Sequence, residues 1–200
     1  MRRLILGALL IIIAATSYAQ STIKVKLAPD TSKNRIISMN PAEVDPSDLP
    51  LDRVDQLHPT GTPQKIEDIS AWRLAVKGKS LARALSLSYA NLLSLPVVKK
   101  KVLLICPGFF ADYVEWEGVP LSVLLQRAGA RPDFTSISFE GYDGYIEKFS
   151  HEEATKHLLF LAVKVNDQTL TPIAGYPVRL VAEDSFGGRW VKWITEIRVQ

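Results

Sequence analysis

Cys106 is the only cysteine among 200 residues. One thiol cannot close an internal disulfide. It is therefore an inert core group, a point of intermolecular pairing, or a ligand or nucleophile. Free cysteine packs well as a small apolar side chain, so composition leaves all three open. The other groups suited to polar chemistry are scattered: Asp55 and His58, then Arg179, then Arg189 and Lys192. Taken alone, His58 reads as a surface residue after a turn, and Arg179 and Lys192 as cations on a solvated strand edge. His151 and His157 lie six apart around a short predicted helix. That is not the i, i+4 spacing that sets two ligands on one helix face, so both read as solvent-facing.

Some set of elements must position these groups. Residues 20–50 carry Pro29, Pro41, Pro46 and Pro50 in a polar background and read as an extended arm. Trp72 to Val76 alternates as a strand does and ends at Lys77-Gly78. Ser88 can cap a short helix from Tyr89 to Leu95, stopped before Pro96. Val102-Leu103-Leu104-Ile105-Cys106 is a continuous apolar run of strand length, ended by Pro107-Gly108, with an aromatic-rich turn expected beyond it. Pro120 suits a first helical position; Leu121, Leu124, Leu125 and Ala128 share a face, and Gly129 supplies the stop. Thr135–Phe139, Leu158–Val165, Val178–Ala182 and Val191–Val199 read as strands. Ser150 with Glu153 makes a capping box for a helix reaching His157. Strands outnumber helices and the helices are short, so the fold class is α+β with mixed or antiparallel sheets.

The first residues, MRRLILGALLIIIAATSYAQ, place two arginines before an apolar run and end on Ser17-Tyr18-Ala19. This is the pattern of a secretory signal peptide over residues 1–19. The run is shorter than the roughly 20 residues of a membrane span. The expected location is periplasmic or secreted, with tethering if the leader stays uncleaved. The rest forms one domain, residues 51–200, behind the arm. The chain has 24 basic and 21 acidic side chains, and Arg2 and Arg3 account for two of the basic ones. Without them the charge is nearly balanced, and no basic stripe points to nucleic acid.

Four stretches occur in one order: His58-Pro59-Thr60-Gly61 with Trp72-Arg73-Leu74 behind it; Cys106 with Trp116-Glu117-Gly118-Val119-Pro120-Leu121; Phe139-Glu140 with Asp143-Gly144-Tyr145; and Gly175-Tyr176-Pro177-Val178-Arg179-Leu180 followed by Gly187-Gly188-Arg189-Trp190-Val191-Lys192-Trp193. Together they resemble the molybdopterin-binding domain of the sulfite oxidase family, which includes bacterial periplasmic subunits that repair methionine sulfoxide. The resemblance spans about residues 50–200 and implies the sulfite-oxidase-like fold and a molybdenum–molybdopterin cofactor. It implies that the Cys106 thiolate binds molybdenum. A soft sulfur ligand suits a metal already held by dithiolene sulfurs, and coordination deprotonates the thiol. By the same resemblance Arg179 meets the cofactor phosphate. Arg189, Trp190, Val191 and Lys192 wrap the phosphate end. His58 and Asp55 touch the pterin, and Gly141 lines the metal pocket through its backbone. Trp116 and Trp193 read as core anchors, and Tyr145 as a packed loop residue or part of a substrate funnel.

The departures bear on the substrate. Pro107-Gly108-Phe109-Phe110 follows the cysteine where sulfite oxidases carry arginines, and Val163 stands in place of a tyrosine. A dianion needs positive charge to enter a dry pocket, so an apolar approach argues against sulfite. The methionine sulfoxide reductases carry a glutamate where this chain has Gly108, and a polar residue at Gly141. The sequence contains no CxxCH haem motif, so the reading calls for an external haem- or quinone-linked electron partner. Arg2-Arg3 lacks the flanking residues of a twin-arginine signal, which leaves the export route open. The expected function is oxygen-atom transfer to or from a small molecule. The alternative is a cofactor-free binding or accessory protein on the same scaffold.

Overall fold

The computed structural model describes residues 23–58 and 60–200; the expected leader lies outside them. Twelve strands are described: β1 (Val25–Lys26), β2 (Val44–Asp45), β3 (Arg73–Lys77), β4 (Leu85–Ser88), β5 (Val98–Cys106), β6 (Phe110–Pro120), β7 (Ser136–Gly141), β8 (Ile146–Ser150), β9 (Leu159–Val165), β10 (Gln168–Thr169), β11 (Arg179–Ala182) and β12 (Ile194–Val199). The helices are short: α1 (Lys33–Ile36), α2 (Tyr89–Leu93), α3 (Leu121–Ala128) and α4 (His151–Lys156). No described helix is long and apolar enough to cross a membrane.

Two five-stranded sheets carry the fold. One has the order β10-β9-β6-β5 with β11 also on β9, and every pairing in it is antiparallel. The other has the order β4-β3-β12-β7-β8 and is mixed, because β12 runs parallel to β3. The helix ends follow local chemistry. Ser88 Oγ accepts from the Asn91 amide at 3.1 Å. Ser150 Oγ accepts from the Glu153 amide at 3.2 Å, while the Glu153 carboxylate accepts from the Ser150 amide at 2.8 Å. Gly129 ends α3 at φ +64°, a conformation that suits glycine. Pro120 closes β6 and caps α3 from outside its first turn, one position earlier than expected.

The largest departure from the sequence reading is β6. Residues 110–120 form an eleven-residue strand rather than an aromatic-rich turn. Pro107, Gly108 and Phe109 are the loop of a β5–β6 hairpin in which Cys106 pairs with Phe110. Gly108 takes φ +75° there. Both faces of this hairpin are covered. Val102, Leu104, Phe110, Val114 and Trp116 join the main core. Leu103, Ile105, Ala111 and Tyr113 pack instead against Leu27, Ile36, Val44 and Leu49 of the arm. This two-sided burial is why β5 reads as an unbroken apolar run.

The arm carries α1, a 3-10 turn at Pro41–Glu43 and the two-residue β1–β2 pair, joined by turns. Asp52 fastens its end to the sheet. The Asp52 amide donates to the Tyr113 carbonyl at 2.8 Å, and its carboxylate accepts from the Tyr113 amide at 2.6 Å. Lys33 Nζ reaches the same carboxylate at 2.5 Å.

Candidate cofactor site

A cavity of about 320 Å³ opens where the inner face of the β5–β6 hairpin meets the arm's end, β11 and the segment leading into β12. That is within the usual range for a small-molecule pocket. Cys106, His58, Arg179, Trp190 and Lys192 all line it. Five of the nine residues singled out from sequence, distant along the chain, thus meet at one wall.

Cys106 sits at the last position of β5, half-buried and unpaired. Burial pushes its thiol above the ordinary range. Its hairpin partner Phe110 stacks on the His58 ring, with centroids 4.8 Å apart and planes 13° from parallel. Next along the same face of β6 comes Asp112, opposite Leu104 and diagonal to Cys106. Diagonal neighbours across such a pair lie about 7–8 Å apart. Asp112 is buried, and both its oxygens serve His58: the His58 amide lies 3.1 Å from Oδ2 and ring Nδ1 2.7 Å from Oδ1. Burial raises the Asp112 pKa, and the bonds from His58 oppose the rise. The sequence reading missed Asp112. The signal was the inward alternation Phe110, Asp112, Val114, Trp116, visible only once β6 is a strand.

Further along β6 the wall turns cationic. Arg179 is 7% exposed, and its guanidinium lies 4.7 Å from the Trp116 ring centroid and 5.5 Å from that of Trp190. Among the described residues its side chain makes one hydrogen bond, from Nη1 to the Ala174 carbonyl at 3.2 Å. Arg179 Nε and Trp116 Nε1 are buried without a partner, and no carboxylate among the described residues pairs with Arg179. Desolvation pulls the guanidinium pKa down to about 10, with Asp112 opposing. Lys192 Nζ donates to the carbonyls of Thr60 at 2.5 Å and Ile173 at 3.1 Å. Burial, then the Arg179 charge, bring it down to about 8, against the pull of Asp143.

The other four residues are placed elsewhere. Asp55 is exposed and ion-paired with Arg53 at 2.7 Å. The Arg189 side chain turns away from the cavity, because Glu147 and Glu153 each take one of its nitrogens at 2.6 Å. The amides of Arg189 and Trp190 are spent on the carbonyls of Phe186 and Gly187 within their own turn. Val191 is buried in the core, and its carbonyl accepts from the Leu180 amide at 2.7 Å. Gly141 stands behind the lining: a Cβ there would fall 2.6 Å from both Asp143 Oδ1 and the Lys192 carbonyl. Glycine lets this loop fold close enough for Asp143 to line the cavity.

Trp116 and Trp193 are fully buried core residues that also line the cavity. Tyr145 lines it too, donating to the Gly188 carbonyl at 2.6 Å. Val163 is in the main core. Phe109 is 81% exposed, so only Phe110 of the Phe-Phe pair forms a wall. The two remaining histidines are half-buried rather than solvent-facing: His151 packs on Phe134 at 4.4 Å, and His157 lies 3.8 Å from Asp184.

A model of the oxidoreductase molybdopterin binding domain matches residues 60–200. The chain belongs to that family. The protein-methionine-sulfoxide reductase catalytic subunit of Gluconobacter oxydans is 27% identical over 146 residues, 64% of this chain and 46% of that protein. The NADPH nitrate reductase of Phytophthora infestans is 38% identical over 97 residues, 42% of this chain and 10% of that protein. The mitochondrial sulfite oxidase of Drosophila melanogaster is 32% identical over 96 residues, 42% of this chain and 16% of that protein. The crystal structure of the sulfane dehydrogenase SoxCD from Paracoccus pantotrophus superposes with a TM-score of 0.63 at 25% identity, covering 68% of this chain and 40% of that one. This likeness agrees with the α+β, sulfite-oxidase-like fold. The chain spans less than half the length of each of these proteins.

The residues present fit the family's cofactor. Among the described residues no cluster of three His, Cys, Asp or Glu could hold a metal on its own. A metal here would have to bring most of its own ligands, as one bound by dithiolene sulfurs does, and take one soft thiolate from the wall. Arg179, with no salt-bridge partner among the described residues, and Lys192 both line the cavity and are the cations a buried phosphate requires.

Proposed function

We propose that the chain is the molybdenum-cofactor domain of an exported oxidoreductase that moves an oxygen atom to or from a small molecule. The observation that carries this is the pairing of one thiol, Cys106, with a buried guanidinium, Arg179, that has no salt-bridge partner among the described residues, in the lining of one cavity. Cys106 would be the metal ligand. Arg179 and Lys192 would hold the phosphate, with Trp190 against the cofactor and His58 closing over it from the arm. When bound, the cofactor supplies the two-electron change, and the protein supplies orientation and pocket polarity. Phe110, with His58 stacked on it, forms the wall beside the thiol. The buried carboxylate of Asp112 near Cys106 makes that side hostile to a dianion. Uncharged S-oxides and N-oxides are the substrate class this favours. Electrons come from an external haem- or quinone-linked partner, and the leader pattern supports a periplasmic or secreted location.

Elemental mass spectrometry of the natively exported protein tests the reading. About one molybdenum per chain is expected, lost in Cys106→Ala with the fold retained. A folded wild-type chain without molybdenum, taken from cells that make the cofactor, would overturn it in favour of a cofactor-free binding protein.

A further inference from the structure

We infer that Asp112 is a positioning residue of this site: it locks the His58 imidazole as the Nδ1–H tautomer and so presents Nε2 to the cavity as a hydrogen-bond acceptor. Three contacts fix the ring. Asp112 Oδ1 takes ring Nδ1 at 2.7 Å, Asp112 Oδ2 takes the backbone amide of the same residue at 3.1 Å, and Phe110 stacks on the ring face at 4.8 Å. A backbone amide can only donate. Two N–H groups shared between the oxygens of one buried carboxylate is the charge-assisted arrangement, and it requires the proton on Nδ1. In the neutral ring the other nitrogen then carries the lone pair.

The consequence is a cavity of two characters. Near the thiol its polar wall is built from an acceptor, Nε2, backed by a carboxylate. Near Trp116 its lining is cationic, from Arg179 and Lys192. The matching ligand offers N–H donors at one end and an anion at the other. A pterin phosphate has that chemistry. The inference rests on the cofactor reading only for this last step; the tautomer is a property of the chain itself.

Asp112→Asn is the informative variant. An asparagine cannot accept at both positions. If its oxygen keeps the His58 amide, its NH₂ faces ring Nδ1. Only the Nε2–H tautomer then avoids a donor facing a donor.

The experiment is nitrogen-15 NMR of histidine-labelled full-length protein. The chain has three histidines, and His58→Gln identifies the signal. In the wild type, Nε2 is expected to be the unprotonated nitrogen of the neutral ring. Asp112→Asn should move the proton to Nε2, and Phe110→Leu, which removes the stack but keeps the carboxylate, should not. A wild-type ring protonated at Nε2 overturns the inference, and that measurement stands even if Asp112→Asn fails to fold. An unchanged tautomer in a folded Asp112→Asn protein overturns it too. In loaded protein the same variant should retain less molybdenum than the wild type. If the wild type carries no molybdenum, the functional proposal fails while the NMR result still decides the role of Asp112.

Discussion

Arg179 rests its guanidinium on the indole of Trp116, 4.7 Å from the ring centroid, and among the described residues no carboxylate is salt-bridged to it, Asp112 acting only from a distance. A cation over an aromatic face recovers part of what burial costs, but less than a counterion would. The site therefore holds a charge that the fold does not neutralise and a ligand would.

Arg179→Met keeps most of the side-chain volume and deletes the charge. The cofactor-free chain should be no less stable, with a gain on the order of 1–3 kcal/mol, while molybdenum retention should be lost. Urea melts of the metal-free protein and metal content of the loaded protein check the two halves. A clear loss of stability would mean that the guanidinium is a structural element rather than a waiting ligand group.

Lys192 sets a pH dependence at the alkaline side. Its pKa is about 8 in the folded chain against 10.5 when unperturbed. Between those values the unfolded chain binds more proton than the folded one, so stability rises with pH across that window. Below it the full penalty of the buried ammonium is present. Comparing wild type with Lys192→Met reads out this group together with its coupling to Arg179, whose own pKa is pulled down to about 10. The wild type should gain stability relative to the variant as pH climbs through the window. An anion bound beside Lys192 should flatten the difference, because a bound negative charge raises the lysine pKa again.

Gly118 marks a place where the cavity-bearing sheet tolerates no side chain. The β6–β9 register shifts between Glu117 and Gly118, and a Cβ at Gly118 would lie 2.0 Å from the Leu161 carbonyl oxygen. Gly118→Ala should cost about 3 kcal/mol or more. Gly188→Ala, with nothing within 4 Å of its Cβ position, should stay within about 0.5 kcal/mol. Denaturant midpoints of the two variants decide it.

The sequence revealed local devices better than long-range ones. The caps at Ser88, Ser150 with Glu153, and Gly129 were readable because their chemistry is complete within a few residues. β6 was not, because Asp112, Glu115 and Glu117 interrupt a strand whose two faces meet different partners. Asp112 was hidden with it. Cys106, His58, Arg179 and Lys192 were singled out through family resemblance rather than pattern, and the fold brings them to one cavity. The partners of Arg189 were beyond local reading: Glu147 and Glu153 lie 42 and 36 residues away in sequence.

The hairpin that carries the thiol also makes its placement a matter of parity. On β5 the even positions, Val102, Leu104 and Cys106, belong to the cavity side, and the odd ones, Leu103 and Ile105, to the arm. Removing a single residue between Val102 and Cys106 would not shift the sulfur by a few ångströms. It would turn the thiol toward the arm and offer isoleucine to the cavity, since a one-residue slip inverts a strand's faces. Length changes in this hairpin are therefore open to the chain only in steps of two or beyond Pro107, which makes the spacing before Cys106 as much a part of the site as the sulfur itself.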